Sequence, residues 1–210
     1  MRRDAQLSPA MVSPEAQAEL YCRLHEKSAR PECLFDPSWG TEPVAAAARQ
    51  AWSAKVLHFS PGVKVRDPFF SHFIERLTLL APRELQKLLC AAVLLSNSAG
   101  FRRCIDGAVI RQLDAVVGAS GLAAVRCVRA NPVLHNPLVV TDWSVRTLLG
   151  EAYAHIDLVY RGQRQLVLDY LRVALPRELP HVRSDCDEAG FEQLVRQAHE
   201  WYPEFKWLFG

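Results

Sequence analysis

The sequence lacks the short motifs that carry common enzyme chemistry. It contains no G-x-x-x-x-G-K-[ST] phosphate loop, no G-x-G-x-x-G dinucleotide loop and no G-x-S-x-G nucleophile turn. Its seven histidines are scattered without the H-E-x-x-H spacing of zinc enzymes, and none of its six cysteines forms a C-x-x-C pair. These absences favour a protein without enzymatic activity, and we expect no cofactor and no metal site.

Long apolar runs are also missing. The longest, Leu88 to Leu95, has eight residues, whereas crossing a bilayer takes about 20. The first ten residues, "MRRDAQLSPA", carry two arginines but no apolar segment behind them, which is not the pattern of an export signal. We therefore expect a cytoplasmic protein with no direct membrane insertion, and free thiols rather than disulfides.

The chain also lacks an excess of charge of either sign. The formal net charge of the 210 residues is +2, so no bulk electrostatic attraction favours nucleic acid or anionic lipid as a partner. Half of the residues are apolar, which is enough for one sizeable core. We expect a flexible N-terminal arm over residues 1–12 and a helical domain over residues 13–210.

What the chain does contain is a series of helix start and stop signals. Ser-Pro and Asp-Pro steps open several segments, and apolar residues then recur at helical spacing. Three prolines and a glycine mark residues 30–43 as a loop. The pattern predicts helices over 13–27, 44–59, 67–80, 81–95, 101–118, 120–130, 141–160, 164–176 and 185–209. No pair of segments forms a strand hairpin, so the fold class is all-α, a single compact multi-helix domain.

Three details of this pattern are specific. The second half of the 81–95 segment is apolar on all sides, which predicts a central helix covered all round. Gly118 is a natural end for the 101–118 helix, and Thr141 or Asp142 is the expected cap of the 141–160 helix. Cys90, Cys104 and Cys127 stand among apolar neighbours and are expected to be buried.

An Arg102–Arg103 pair follows the apolar run after a short stretch of mainly small and polar residues. One reading is two solvated residues on the polar side of a helix that points Phe101, Cys104 and Ile105 inward. A second is a docking edge for an acidic partner surface, and a third is a phosphate-binding pair. No glycine-rich loop is aimed at the pair, so the residues alone leave these alternatives open.

The C-terminal segment "EWYPEFKWLF" concentrates aromatic residues. They either cover the domain's own core or anchor a partner, and the set comprises Trp201, Tyr202, Phe205, Trp207 and Phe209. Two other groups of residues are candidates for chemistry. Glu151 and His155 are one turn apart and are expected on an exposed helix face, while the acidic residues of 181–190 suit a helix N-terminus better than a metal site.

The stretch around the arginine pair resembles the SctK family, the cytosolic K protein of the bacterial type III secretion sorting platform. The resemblance is carried by "LQKLLCAAVLL" (85–95), by "FRRCI" (101–105) after a short polar turn, and by "IRQLDAVVGASGLAAVR" (110–126). Weaker similarity lies in "LRVALP" (171–176) and in the closing residues 191–209.

The resemblance implies a small helical adaptor without enzymatic activity. Such a protein links the cytoplasmic domain of the inner-membrane ring protein to the sorting-platform Q protein, and so to the ATPase complex. On this reading the protein is peripheral to the inner membrane through the secretion machine, and Arg102, Arg103 and the C-terminal aromatic residues are candidate partner contacts. The alternative is a type III secretion chaperone or regulator that binds an exported protein.

Overall fold

The structure, a computed structural model, describes residues 23, 35–40, 73–128, 142–161, 165–180 and 188–208. Of these residues 76% are helical and none forms a strand, which confirms the all-α prediction of a single domain. The α-helices are α1 Phe73–Leu77, α2 Pro82–Ser96, α3 Ser98–Phe101, α4 Gly107–Cys127, α5 Val145–Tyr160, α6 Gln165–Val173 and α7 Glu188–His199. Short 3-10 helices span Pro37–Trp39 and Pro203–Leu208. The predicted helices over 13–27 and 44–59 and the 1–12 arm lie outside the described residues, apart from residue 23.

Helix α2 is the centre of the domain. It opens at Pro82, and the Glu84 carboxylate accepts a hydrogen bond from the Ala81 N–H at 2.8 Å, which satisfies a donor at the helix start. Every residue from Leu88 to Ser96 is buried. Helices α4, α5 and α7 pack around α2. The predicted central helix, covered on all sides, is confirmed.

Helix α4 is broken at Gly118. This residue has φ 81° and ψ 155°, a conformation that interrupts the helix and that glycine adopts without steric cost. The break falls at the glycine where the sequence predicts one helix to end and another to follow. It divides α4 into two shorter segments, and each contributes buried side chains: Leu113 and Val117 from the first, Leu122 and Val125 from the second.

Helices α4 and α5 both begin later than their patterns predict, because local polar side chains fix their first turns. Asp106 caps α4, its carboxylate accepting from the Ala108 and Val109 N–H groups at 2.8 and 3.3 Å, so α4 starts at Gly107 rather than at residue 101. Ser144, not Thr141 or Asp142, is the N-cap of α5. Asp142 instead accepts hydrogen bonds from the hydroxyls of Ser144 and Thr147 at 2.9 and 2.7 Å.

The C-terminal segment is tied to the break in α4. The buried hydroxyl of Tyr202 donates a hydrogen bond to the Val117 carbonyl at 2.9 Å. Carbonyls in the last turn of a helix have no intrahelical partner, and Tyr202 supplies one here. A Cβ at Gly121 would lie 2.2 Å from the Tyr202 hydroxyl oxygen, so the close approach requires glycine at this position.

We expect Tyr202→Phe to lower the free energy of unfolding by about 1–2 kcal/mol, because it leaves the buried Val117 carbonyl without its donor. Urea unfolding followed by circular dichroism measures the change. Tyr153→Phe is the matched control, since the hydroxyl of this half-buried tyrosine has no hydrogen bond within the described part of the chain. Equal urea midpoints for Tyr202→Phe and wild type would show that the Tyr202–Val117 hydrogen bond does not stabilise the fold.

Candidate partner-binding surface

Arg102 and Arg103 lie in a tight turn between α3 and α4. The Arg103 N–H donates to the Gly100 carbonyl at 3.0 Å, and the Cys104 N–H donates to the Phe101 carbonyl at 2.9 Å. Phe101 is fully buried, whereas both arginine side chains are exposed. The buried Phe101 ring therefore anchors the turn, and the two arginine side chains that follow it are exposed to solvent.

Neither arginine is neutralised by a carboxylate in the described part of the chain. Arg102 donates from Nη1 to the Val128 carbonyl at 3.0 Å, which holds its side chain against the end of α4. The Arg103 side chain has no hydrogen bond or ion pair with any described residue. The full positive charge of both side chains is thus available to solvent or to a partner. Their role in partner binding stays a prediction.

Ile105 corrects one prediction for this segment. The sequence pattern places Phe101, Cys104 and Ile105 on an inward face, but Ile105 is 93% exposed and Cys104 is half-buried. The physical reason is that residues 102–106 form a turn rather than a helix, so helical spacing does not govern the direction of their side chains. An exposed branched aliphatic residue consequently lies beside two unpaired cations.

The C-terminal aromatic residues are mostly internal. Tyr202, Phe205 and Trp207 are buried, and Trp201 is half-buried, which agrees with the alternative that these residues cover the domain's own core. Phe209 lies outside the described residues. Partner binding by these aromatic residues stays a prediction, and their burial leaves little of their surface for a partner to touch.

Two cations cover this aromatic cluster. Lys87 Nζ lies 4.2 Å from the Tyr202 ring centre and 2.7 Å from a Glu204 carboxylate oxygen. The Arg23 guanidinium lies 4.6 Å from the Trp207 ring centre and 3.1 Å from Glu84. Cation–π contacts and ion pairs of this kind fix the tail against α2, so the cluster is primarily a structural element.

A buried carboxyl on α5 was missed by the sequence reasoning. Glu151 and His155 are both buried, not on an exposed face as predicted. The Glu151 Oε2 atom has no hydrogen bond with the described residues, and burial raises the pKa of this carboxyl to about 7. A signal was present: Glu151 and His155 follow Leu148 by three and seven residues, the spacing of the apolar face of α5.

Comparison with known protein families decides where the chain belongs. The family of bacterial type III secretion proteins called HrpB4 matches residues 11–204. The chain is a member of the HrpB4 family. No curated protein and no solved structure matches it. The type III secretion part of the sequence resemblance is therefore confirmed, and the protein is a component of a type III secretion system.

Among the described residues of this HrpB4 protein, one helix is long and apolar enough to cross a membrane. Helix α4 has 21 residues and a mean hydropathy of 1.4, with 28% of its most apolar window buried. Length and composition alone are a weak indication. The break at Gly118 leaves segments of about 11 and 9 residues, each shorter than the roughly 20 that a bilayer requires. The absence of membrane insertion stays a prediction.

The thiols of the HrpB4 protein differ from one another in exposure. Cys90 is buried and burial raises its pKa, as expected for a core thiol. Cys104 is half-buried and Cys127 is exposed, so the prediction of burial is wrong for Cys127. Cys127 is the last residue of α4, where its side chain is exposed. Within the described ranges no three His, Cys, Asp or Glu side chains cluster to hold a metal ion, and residues 181–187 lie outside them.

Proposed function

We propose that this HrpB4-family protein is a cytosolic adaptor of the SctK type in a type III secretion sorting platform. It links the cytoplasmic domain of the inner-membrane ring protein to the sorting-platform Q protein, and so to the ATPase complex. The observation that carries the proposal is the family match over residues 11–204, which makes the chain a secretion component. The resemblance of "FRRCI" and its flanking helices to SctK supplies the specific role.

The structure supports an adaptor through its distribution of apolar and charged residues. The apolar residues of α2 are buried inside the helical domain. Arg102 and Arg103, which form no ion pair with a described carboxylate, and the exposed Ile105 lie on its surface. An adaptor without enzymatic activity needs a stiff body and surfaces for other proteins, and this division provides both. On this proposal the protein is cytoplasmic and reaches the inner membrane only through the ring protein.

Co-purification tests the proposal. Affinity-tagged protein, expressed at native level in cells with a functional secretion system, is expected to retain both the ring protein and the Q protein. Purified ring-protein cytoplasmic domain and purified Q protein are then expected to bind the isolated chain separately. Retention of an exported protein without either scaffold protein would favour the chaperone or regulator alternative and reject the adaptor.

A further inference from the structure

The turn after α3 combines an exposed aliphatic side chain with an excess of positive charge. Among the described residues the exposed large hydrophobic side chains are Ile105, at 93%, and Leu158, at 58%. Transfer of an isoleucine side chain from water to an apolar site is worth about 1.5–3 kcal/mol. Ile105 therefore gains more than any other described surface residue from being covered by a partner.

Three exposed arginines flank this isoleucine along the chain. Arg102 and Arg103 precede it in the turn, and both are exposed. Arg111, also exposed, reaches back along α4 until its Nη1 atom lies 3.5 Å from where a Cβ on Gly107 would be, two residues beyond Ile105. We call Arg102, Arg103, Ile105 and Arg111 the arginine turn.

Within the described part of the chain no carboxylate forms an ion pair with an arginine of the arginine turn. Asp106 is the carboxylate nearest in sequence, and it caps α4 by accepting from the Ala108 and Val109 N–H groups. Its single negative charge offsets only part of the charge of the three arginines. The N-terminus of α4, which starts at Gly107, adds the positive end of a helix dipole to the same place. The turn is thus a positive patch on a chain whose net charge is only +2.

The turn is also held in one conformation before any partner binds. Phe101 anchors it in the core, two backbone hydrogen bonds close it, and Asp106 fixes the start of the next helix. Preorganised surfaces lose less conformational entropy on association. An apolar centre with an arginine rim is the usual anatomy of a protein–protein contact.

We propose that the arginine turn docks an acidic surface of another protein, with Ile105 inserted in an apolar pocket and the guanidinium groups paired with carboxylates around it. Charge complementarity selects an acidic partner, and the apolar centre selects a protein surface over isolated phosphate groups. The proposal rests on the adaptor function and assigns one of its two scaffold contacts to this edge of the domain.

The test titrates purified full-length protein against the ring-protein cytoplasmic domain and against the Q protein, each by biolayer interferometry at low and high salt. Ile105→Asp, and separately Arg102→Glu with Arg103→Glu, are expected to weaken binding to one of the two proteins by about 30-fold or more, the effect of losing a central contact. Binding of the wild type is expected to weaken as salt screens the charges.

Matched controls come from the same chain. Leu158→Asp alters the other exposed aliphatic residue, and Arg83→Glu reverses an exposed arginine at the opposite end of α2, about 20 Å away. Both are expected to bind within about threefold of wild type. All variants should melt near the wild-type temperature, because the replaced side chains are exposed. If Ile105→Asp fails to fold, Ile105→Ala replaces it, with about tenfold weaker binding expected.

The outcomes separate this inference from the adaptor proposal. Wild-type affinity in the turn variants, with both scaffold proteins still bound, overturns the inference and leaves the adaptor standing. Failure of the wild type to bind either protein overturns both. Two further results also overturn the inference by naming another occupant. One is a wild-type dimer that Ile105→Asp dissociates, and the other is binding to phosphatidylglycerol vesicles that Arg102→Glu with Arg103→Glu abolishes.

Discussion

Replacing Phe101 with alanine is expected to lower the free energy of unfolding by about 3–5 kcal/mol, the range for truncating a buried phenylalanine. The Phe101 ring is fully buried and lies 5.5 Å from the Trp143 ring, centre to centre, at an interplanar angle of 58°. The guanidinium of Arg126 lies 5.7 Å from its centre. Alanine removes these contacts and leaves a cavity between α3, α4 and the chain before α5.

The size of this loss decides the functional result. The free energy of unfolding of such a domain is about 5–15 kcal/mol in total. The loss expected for Phe101→Ala is therefore a large part of it. Because the arginine turn begins at the residue after Phe101, loosening this anchor also releases the turn. We expect the variant to lose scaffold binding together with a large decrease in its urea unfolding midpoint.

Phe101→Leu separates the two effects. Leucine keeps most of the buried volume, so we expect a loss of only about 1 kcal/mol and nearly unchanged scaffold binding. Urea unfolding and interferometry on the same preparations measure both quantities. An unfolding midpoint for Phe101→Ala equal to that of wild type would show that the ring is not the anchor of the turn.

The helical parts of the fold were predictable wherever periodicity or glycine chemistry governs the chain. The all-round apolar character of Leu88 to Leu95 indicated a central helix, and α2 is that helix. Gly118 signalled the break in α4 through its conformational freedom. The pattern predicted a helix over 164–176, and α6, Gln165–Val173, lies within that range.

Predictions failed where a single polar side chain overrode the pattern. Asp106 ends the turn and starts α4, and a helical interpretation of 101–118 therefore placed Ile105 inside when it is outside. The Tyr202–Val117 hydrogen bond joins residues 85 positions apart, and no local pattern predicts such a contact. The outward direction of Arg102 and Arg103 was predictable from the sequence. The exposure of Ile105 and the position of the Arg111 side chain beside Gly107 were visible only in the structure.

We expect the titration of Glu151 to dominate the pH dependence of stability between pH 4.5 and 7. This side chain is 4% exposed, and burial raises its pKa from 4.5 to about 7. In the unfolded chain the carboxyl ionises near its ordinary value, so between pH 4.5 and 7 the folded state binds more protons than the unfolded state. Stability from this group therefore falls as pH rises through that window and is constant above it.

Glu151→Gln removes this titration while nearly preserving shape. We expect the variant to exceed wild type in free energy of unfolding by about 1–3 kcal/mol at pH 8, because it no longer buries a charge. The difference should vanish near pH 5, where the wild-type carboxyl is neutral in the folded state. Urea midpoints at pH 5, 6, 7 and 8 give the comparison, and subtraction removes other titrating groups such as the buried His155.

Glu178→Gln is the control, since this exposed glutamate pairs with Arg146 at 3.4 Å on the surface and contributes little to stability. Its midpoint should follow wild type at every pH. If Glu151→Gln is instead less stable than wild type at pH 8, the ionised carboxylate must be stabilised by a partner in the folded protein. Such a partner would offset the desolvation cost of the carboxylate. Glu151 would then belong to a buried polar network on α5 and would not be an isolated buried acid.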